Sequence, residues 1–430
     1  MREKVDTSVD FCGITLKHPL GVAPHAIFAP PGMNPRRVAD LLLRYADAGA
    51  AYIYTPVIRS EEKHPFDLIP TGNFQLNGSA GSGKAIYAIA DKNRIQCRRE
   101  NGIKLITILK KEMPKGLPLI ANITVPSSDP EQWVEHACTI AEAGADFIEL
   151  NPSCPLNLPV EKETFVPEDK HVLIPYALGD SPAEFSAVIR AVCSAVTVPV
   201  GIKMAAELGF PRLVNAHSLF YHSGARFVTG INAPIAIAPP DINREGRGSY
   251  PGLDVNPFAA VIGPWIRYLC YRNTAAVAAY LPEMAIGAAG GIVEKEHVIE
   301  VIMLGAKLVE LSSGIMLRGI PFLQQCIRFL KEFMLSRGYE SMEDLRAMGL
   351  PYIVPSTQVD WLVGKMVAEP DQEHCNGCGL CARNLCFAIS MRGKMPFVKT
   401  KDCGACGLCV AICPKMAMKL VPLSDGVQAD

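Results

Sequence analysis

The 430-residue chain has no strong charge of either sign: 42 lysines and arginines face 43 aspartates and glutamates, a net charge of −1. A nucleic acid or an anionic membrane surface would meet no attracting field. Long apolar runs are also missing. The longest are broken by charge or proline well short of the roughly 20 apolar residues a bilayer span needs. The opening residues, Met-Arg-Glu-Lys-Val-Asp-Thr, carry no apolar signal core, so the expectation is a cytoplasmic protein. No G-x-G-x-x-G unit occurs, so nicotinamide dinucleotide handling is expected elsewhere, in a separate partner.

Cysteine, by contrast, is plentiful: 15 residues, eight of them between Cys375 and Cys413. In a reducing compartment a cluster of this kind reads as metal ligands, while scattered cysteines read as small core residues. Cys403, Cys406, Cys409 and Cys413 follow C-x2-C-x2-C-x3-C, and Pro414 comes next. Cys375, Cys378 and Cys381 repeat the first three positions, and Cys386 arrives one residue late. At this spacing three thiolates wrap one face of a cubane and the fourth ligates the other cluster. The expected sets are therefore Cys375, Cys378, Cys381 with Cys413, and Cys403, Cys406, Cys409 with Cys386, each holding one [4Fe–4S] cluster. Zinc motifs pair two C-x2-C units over a longer gap, and triple cysteines ending in Cys-Pro do not fit them.

Upstream, short apolar runs alternate with amphipathic stretches. Eight runs read as strands: Pro19–Ala23, Ala51–Thr55, Pro118–Thr124, Ala145–Leu150, Val198–Lys203, Ala225–Gly230, Met284–Gly287 and Ala306–Leu311. Near-continuous apolar strands suit a parallel sheet buried on both faces. Helical patterns cover Pro130–Ala143, Pro182–Ala195, Pro211–Ser223 and Lys295–Leu304. Ala-Gly-Ala or Ser-Gly-Ala at 48–50, 143–145 and 223–225 supplies glycine helix stops. The count of eight favours a (β/α)8 TIM barrel over an open doubly wound sheet. The predicted organisation is a short antiparallel plug at 5–17 within a barrel domain of 1–336, a linker of 337–370 and a ferredoxin-like two-cluster domain of 371–430.

The fourth strand ends in Ile-Glu-Leu-Asn151-Pro-Ser153-Cys154-Pro155. This resembles the Asn-x-Ser-Cys-Pro signature of the dihydroorotate and dihydropyrimidine dehydrogenases. Further matches are Gly-Asp-Ser-Pro at 179–182, Lys203-Met204, Gly230-Ile231-Asn232, Gly290-Gly291-Ile292 and Ser312-Ser313-Gly314-Ile315-Met316. With the cysteine module the pattern is similar to the flavin- and iron–sulfur-bearing subunits of the bacterial NAD-dependent enzymes, over nearly the whole chain. The resemblance implies FMN, two [4Fe–4S] clusters and an oxidoreductase acting on an activated C=C or CH–CH bond of a small cyclic substrate. It implies a partner, an FAD- and NAD(P)H-binding flavoprotein subunit or a ferredoxin, and a homodimer or hetero-oligomer.

Such chemistry needs hydride exchange with the flavin on one face of the substrate and a proton donor or acceptor on the other. The resemblance places Cys154 in the second role. Asn151, Ser153 and Asn232 would bind substrate. Gly21, Ala23, Thr55, Asn122 and Lys203 would line the flavin, and Gly290, Gly291, Ser313 and Gly314 would hold its phosphate. The chain also departs from the family. The usual Lys-Thr after the second strand is Tyr54-Thr55-Pro56-Val57, Ala233 follows Asn232 where Thr or Ser is common, and Glu207 stands where Asn is usual. The loop after Cys154 lacks its glycines. These differences point to a non-pyrimidine substrate, or to a barrel that only holds FMN for electron transfer, as alternatives. Gly78–Ala85 nearly spells a phosphate-binding loop, but Ala85 replaces the magnesium-binding hydroxyl residue. His25, His64 and His171 show no ligand-like spacing.

Overall fold

The computed structural model describes residues 5–423 apart from 25–33, 61–74, 78–86, 91–96, 153–180, 207, 238–239, 249–257 and 384–385. The chain divides into two compact units, Met1–Tyr352 and Ile353–Asp430.

In the first unit, eight parallel strands among the described residues form a barrel wall: β1 (Leu20–Val22), β2 (Ile53–Tyr54), β3 (Leu119–Thr124), β4 (Phe147–Leu150), β5 (Val200–Lys203), β6 (Phe227–Gly230), β7 (Ala285–Ala289) and β8 (Leu308–Leu311). Neighbours pair in parallel from β2 through β8 and from β8 back to β1. The remaining seam carries a bond from the Ala51 amide to the Leu20 carbonyl at 2.9 Å. This is the (β/α)8 TIM-like fold. The wall runs on past β2 at Ile58–Arg59, which also pairs with β3. Pro56 lies between the two pieces and has no amide to donate, which breaks the strand there.

Helices α1 (Pro35–Asp47), α2 (Arg99–Glu112), α3 (Pro130–Glu142), α4 (Pro182–Ala195), α5 (Phe210–His222), α6 (Arg267–Tyr280), α7 (Glu296–Met303), α8 (Ser313–Arg318) and α9 (Pro321–Arg337) follow the strands. Several begin on proline at the first helical position, where its missing amide costs nothing. Asn34 and Asp129 cap α1 and α3 by accepting backbone amides. The hairpin of Val9–Phe11 and Ile14–Leu16 precedes β1. Residues 337–352, expected as linker, fold with the barrel: Met342 and Leu345 are buried in its core. A four-stranded antiparallel sheet (Gln75–Asn77, Tyr87–Ala90, Ile235–Ile237, Phe258–Ile262) is built from the connections that leave β2 and β6.

The barrel interior is layered. Phe11 from the hairpin meets Phe147 and Phe227 at centroid distances of 5.6 and 5.1 Å, closing the N-terminal end with aromatic rings. Gly201 and Gly21 make room for this packing. A Cβ on Gly201 would lie 2.1 Å from the Phe227 ring, and one on Gly21 2.5 Å from the Tyr52 ring. Two residues further along the strands the interior turns polar, because period-two alternation points Tyr54, Glu149 and Thr229 the same way as Tyr52, Phe147 and Phe227.

The second unit pairs Met366–Pro370 with Met418–Pro422 and Ile389–Arg392 with Met395–Val398, both antiparallel. The short helices Leu380–Arg383 and Leu408–Ala411 carry cysteines between them. No helix among the described residues is long and apolar enough to cross a membrane.

Candidate active site

Side chains at the C-terminal ends of consecutive barrel strands converge, as the fold requires of functional residues. Thr55, fully buried, accepts the Asn122 amide at 3.1 Å. The Asn122 side chain accepts from Asn151 Nδ2 at 3.1 Å and donates to Glu149. Asn151 is held in turn by its backbone, whose amide donates to Ile123 and whose carbonyl accepts from Thr124 at 3.0 Å. Strands β2, β3 and β4 thus join Thr55, Asn122 and Asn151 in one chain of hydrogen bonds.

Lys203, at the end of β5, is buried with its ammonium 3.1 Å from Glu310 Oε2 and 3.5 Å from Thr229 Oγ1. Burial alone would lower its pKa, but the Glu310 and Glu149 carboxylates outweigh that and hold it above the usual range. Glu310 sits in the middle of β8. Burial, and secondarily the Glu149 charge, push its carboxyl up to about 7 against the opposing pull of Lys203. Tyr54 stays a phenol, raised well above its usual value by burial and by both carboxylates. Tyr54, Glu149, Thr229 and Glu310 were not among the residues singled out from the sequence. Their signal was present: a lone glutamate inside each of two otherwise apolar strands, Phe-Ile-Glu-Leu and Leu-Val-Glu-Leu.

The other expected residues fall as follows. The Ala23 amide donates to Leu311 across the β1–β8 seam. Asn232 is half-buried, its amide donating to Met204. Gly290 and Gly291 turn the chain after β7 with φ of 135° and 70°, conformations that favour glycine. A Cβ on Gly291 would lie 2.6 Å from the Arg267 amide nitrogen. Ser313 is buried at the start of α8, and a Cβ on Gly314 would strike Phe322. Ser153 and Cys154 lie outside the described residues, as do Glu207, the Gly78–Ala85 loop, His25, His64 and His171.

In the second unit Cys375, Cys378, Cys381 and Cys413 line one cavity, together with Gly379, Met391 and Pro414. Cys413 Sγ accepts the Ala417 amide at 3.2 Å. The Cys409 thiol is pushed up by burial first, and further by Cys403, Cys406 and Cys386 nearby. Cys381 is raised in the same way, with Cys375 and Cys378 as its neighbours. Among the described residues no group of three or more His, Cys, Asp or Glu side chains is arranged to hold a metal ion.

No family model matches the chain. A protein assigned as dihydroorotate dehydrogenase A (fumarate) in Aeropyrum pernix is 30% identical over 236 residues, which cover 54% of this chain and 67% of the relative. The chain belongs to the dihydroorotate and dihydropyrimidine dehydrogenase family. This is a family of oxidoreductases acting on CH–CH groups. Subunit PreA of the NAD-dependent dihydropyrimidine dehydrogenase of Escherichia coli is 25% identical over 343 residues and 75% of each chain. The chloroplastic dihydropyrimidine dehydrogenase (NADP(+)) of Arabidopsis thaliana is 22% identical over 371 residues, 82% of this chain and 79% of the relative.

Proposed function

We propose that the chain is an FMN-dependent oxidoreductase that acts on an activated C=C or CH–CH bond of a small cyclic compound and exchanges electrons with a partner through two [4Fe–4S] clusters. The observation that carries the reading is the convergence of Thr55, Asn122, Asn151 and Lys203 from four consecutive strands at one barrel end. A hydroxyl, two amides and an ammonium match the alternating carbonyl and nitrogen edge of an isoalloxazine ring, so the donor set fits FMN. Bound there, FMN would supply hydride transfer. Lys203 would place a fixed positive charge beside the ring, and the Gly290-Gly291 and Ser313-Gly314 backbones would bind its phosphate.

Asn151, Ser153 and Asn232 would orient the substrate carbonyl or cyclic amide. Cys154 would give or take the proton on the face opposite the flavin, the placement its position after β4 suggests. In the second unit the donor chemistry is all thiol, in two groups of four, which fits two cubanes better than oxygen-ligated ions. The set Cys375, Cys378, Cys381 and Cys413 shares one cavity, which supports pairing the fourth cysteine of one run with the other run. Thiolate ligands of this kind suit a reducing cytoplasm. PreA is by name a subunit, and this chain has no G-x-G-x-x-G unit, so a flavoprotein partner would handle NAD(P)H.

One observation favours a non-pyrimidine substrate. Where relatives carry Lys-Thr, Tyr54 is committed to Glu149 and Glu310 and Thr55 carries no charge. Neither supplies the cation of the missing lysine.

Anaerobically purified protein should release non-covalent FMN on denaturation, identified by chromatography; FAD or no flavin overturns the barrel reading. With a substrate found by screening pyrimidines and cyclic enones, Cys154→Ala should slow turnover about 10²–10⁴-fold while chemical reduction of the flavin stays unchanged. Near-full turnover would remove Cys154 from the acid–base role; the barrel would then be an electron conduit or take its proton from the 156–167 segment, with Glu161 and Glu163 the next candidates.

A further inference from the structure

The polar layer of the barrel contains one proton fewer than its contacts require if both glutamates are ionised. Glu149 accepts from Asn122 at Oε1 and from Thr229 at Oε2. Glu310 accepts from Lys203 at Oε2. Tyr54 Oη lies 3.0 Å from Glu149 Oε2 and 3.1 Å from Glu310 Oε1. A phenol has one hydrogen and cannot donate to both. With two carboxylates, one of these contacts would be oxygen against oxygen in a place without solvent: Tyr54, Glu149 and Glu310 are all within 2% of complete burial. A proton on Glu310 Oε1 resolves the geometry. Glu310 then donates to Tyr54, and Tyr54 donates to Glu149.

The proton belongs on Glu310 and not on Glu149. Glu149 takes two donors besides Tyr54, Asn122 at Oε1 and Thr229 at Oε2, which leaves neither oxygen free to carry a hydrogen toward Tyr54. Glu310 has Lys203 alone. With the proton stored on Glu310, the described residues of the layer hold one carboxylate against the Lys203 ammonium and are neutral together. Among the described residues the groups facing Glu310 are Tyr52 and Tyr54 at β2, Glu149 on β4, Lys203 on β5, Thr229 on β6 and Cys270 on α6. Asn122 of β3 and Gly287 of β7 complete the ring without a charge. Gly287 is needed there, since a Cβ would lie 2.9 Å from Glu310 Oε1.

We propose that Glu310 is a positioning residue that holds Lys203 in place while carrying a stored proton, so that the charge beneath the flavin site switches from neutral to minus one when that proton leaves. This deepens the flavin reading and rests on it. Reduction adds negative charge to a flavin, and a layer at minus one opposes it. In the pH range where Glu310 releases its proton, reduction should therefore draw that proton back from solvent. The pull of burial on this carboxyl, up to about 7, puts the range near neutrality.

Full-length protein labelled with ¹³C-glutamate is studied by infrared spectroscopy between pH 5 and 9. The expected result is a buried protonated carboxyl band that titrates near neutrality, is lost in Glu310→Gln and survives in Glu149→Gln. Glutamine should fold well here, because its amide donates to Tyr54 as the protonated acid would and its oxygen still accepts from Lys203. The midpoint potential of bound FMN, read against redox dyes, should show a segment steeper by one proton per two electrons that is absent from Glu310→Gln. A band that persists in Glu310→Gln, or disappears in Glu149→Gln, overturns the assignment. FMN bound without any such band sinks the proposal and leaves the flavin reading standing. The band without bound FMN sinks the flavin reading and keeps the proton on Glu310.

Discussion

Tyr54 stands between Glu149 and Glu310, its hydroxyl 3.0 Å from one carboxylate and 3.1 Å from the other. The arrangement depends on Gly287, the nearest residue of β7. A methyl group there would press on Glu310 Oε1 and on Thr229 Cγ2, both at 2.9 Å. The added atom enters a layer with no slack, and overpacking of this kind costs about 1–3 kcal/mol. Gly287→Ala should lower the unfolding free energy of the barrel by that amount, seen as a lower denaturant midpoint at unchanged m. A wild-type midpoint would mean that Glu310 and Thr229 can move aside and that the polar layer is loosely held.

Buried histidines set the acid limit of the fold. His217 is fully buried, its Nδ1 on the Leu213 carbonyl at 2.7 Å, with no partner at Nε2 among the described residues. Burial pushes its pKa down to about 4. A depressed histidine binds fewer protons folded than unfolded, so stability is complete above about pH 6.5 and is lost as the pH falls toward 4. The shift corresponds to about 3 kcal/mol at the acid end. His217→Phe, beside the Phe220 ring at 5.6 Å, removes this loss. Its stability should fall less than that of wild type between pH 7 and 4.5; parallel pH curves would show that His217 does not titrate with unfolding.

Much of this was legible beforehand, for physical reasons that differ by element. Buried parallel strands must be apolar throughout, so runs such as Leu119–Thr124 stood out. Helix starts such as Pro130 and Pro182 were legible because proline is favoured at the first turn. The grouping of Cys375, Cys378, Cys381 and Cys413 around one cavity was legible from their spacing along the chain. The four-stranded sheet beyond β2 and β6 was not. Its strands, such as Gln75–Asn77, are short and lie far apart in sequence, and their pairing comes only from folding. The Tyr54–Glu149–Glu310 contact was invisible for the same reason. Glu149 and Glu310 are 161 positions apart, and only closure of the barrel brings both to Tyr54. The expected linker was misplaced at its start: Met342 and Leu345 bury apolar side chains in the barrel core, a tertiary contact that the short helix Met342–Leu345 does not announce.

The two cysteine sets make a prediction that iron analysis can decide. Two cubanes hold about eight iron atoms per chain. If Cys413 serves the same cluster as Cys375, the double variant Cys375→Ala/Cys413→Ala damages one cluster and should keep about four. The variant Cys375→Ala/Cys386→Ala damages both and should approach zero. The reverse order, about four iron atoms in Cys375→Ala/Cys386→Ala and near zero in Cys375→Ala/Cys413→Ala, would show that each run of cysteines holds its own cluster.

Lys203 is bonded to the buried Glu310, and its removal tests how the layer is balanced. Taking one partner from a buried ion pair leaves an unpaired charge, which costs about 3–5 kcal/mol. Lys203→Met should destabilise the barrel by that order. The loss should grow with pH, because a carboxyl raised by burial keeps its proton and its neutrality in acid and becomes a second unpaired charge in base. Adding Glu310→Gln removes the charge whose partner was lost. The double variant Lys203→Met/Glu310→Gln should therefore recover much of the stability at pH 8 and little at pH 6, where Glu310 is already neutral. A double-mutant cycle in denaturant at the two pH values reads the coupling directly. Equal coupling at pH 6 and pH 8 would mean that Glu310 is ionised throughout. In that case the stored proton is not on Glu310, and the assignment made from the Tyr54 contacts fails.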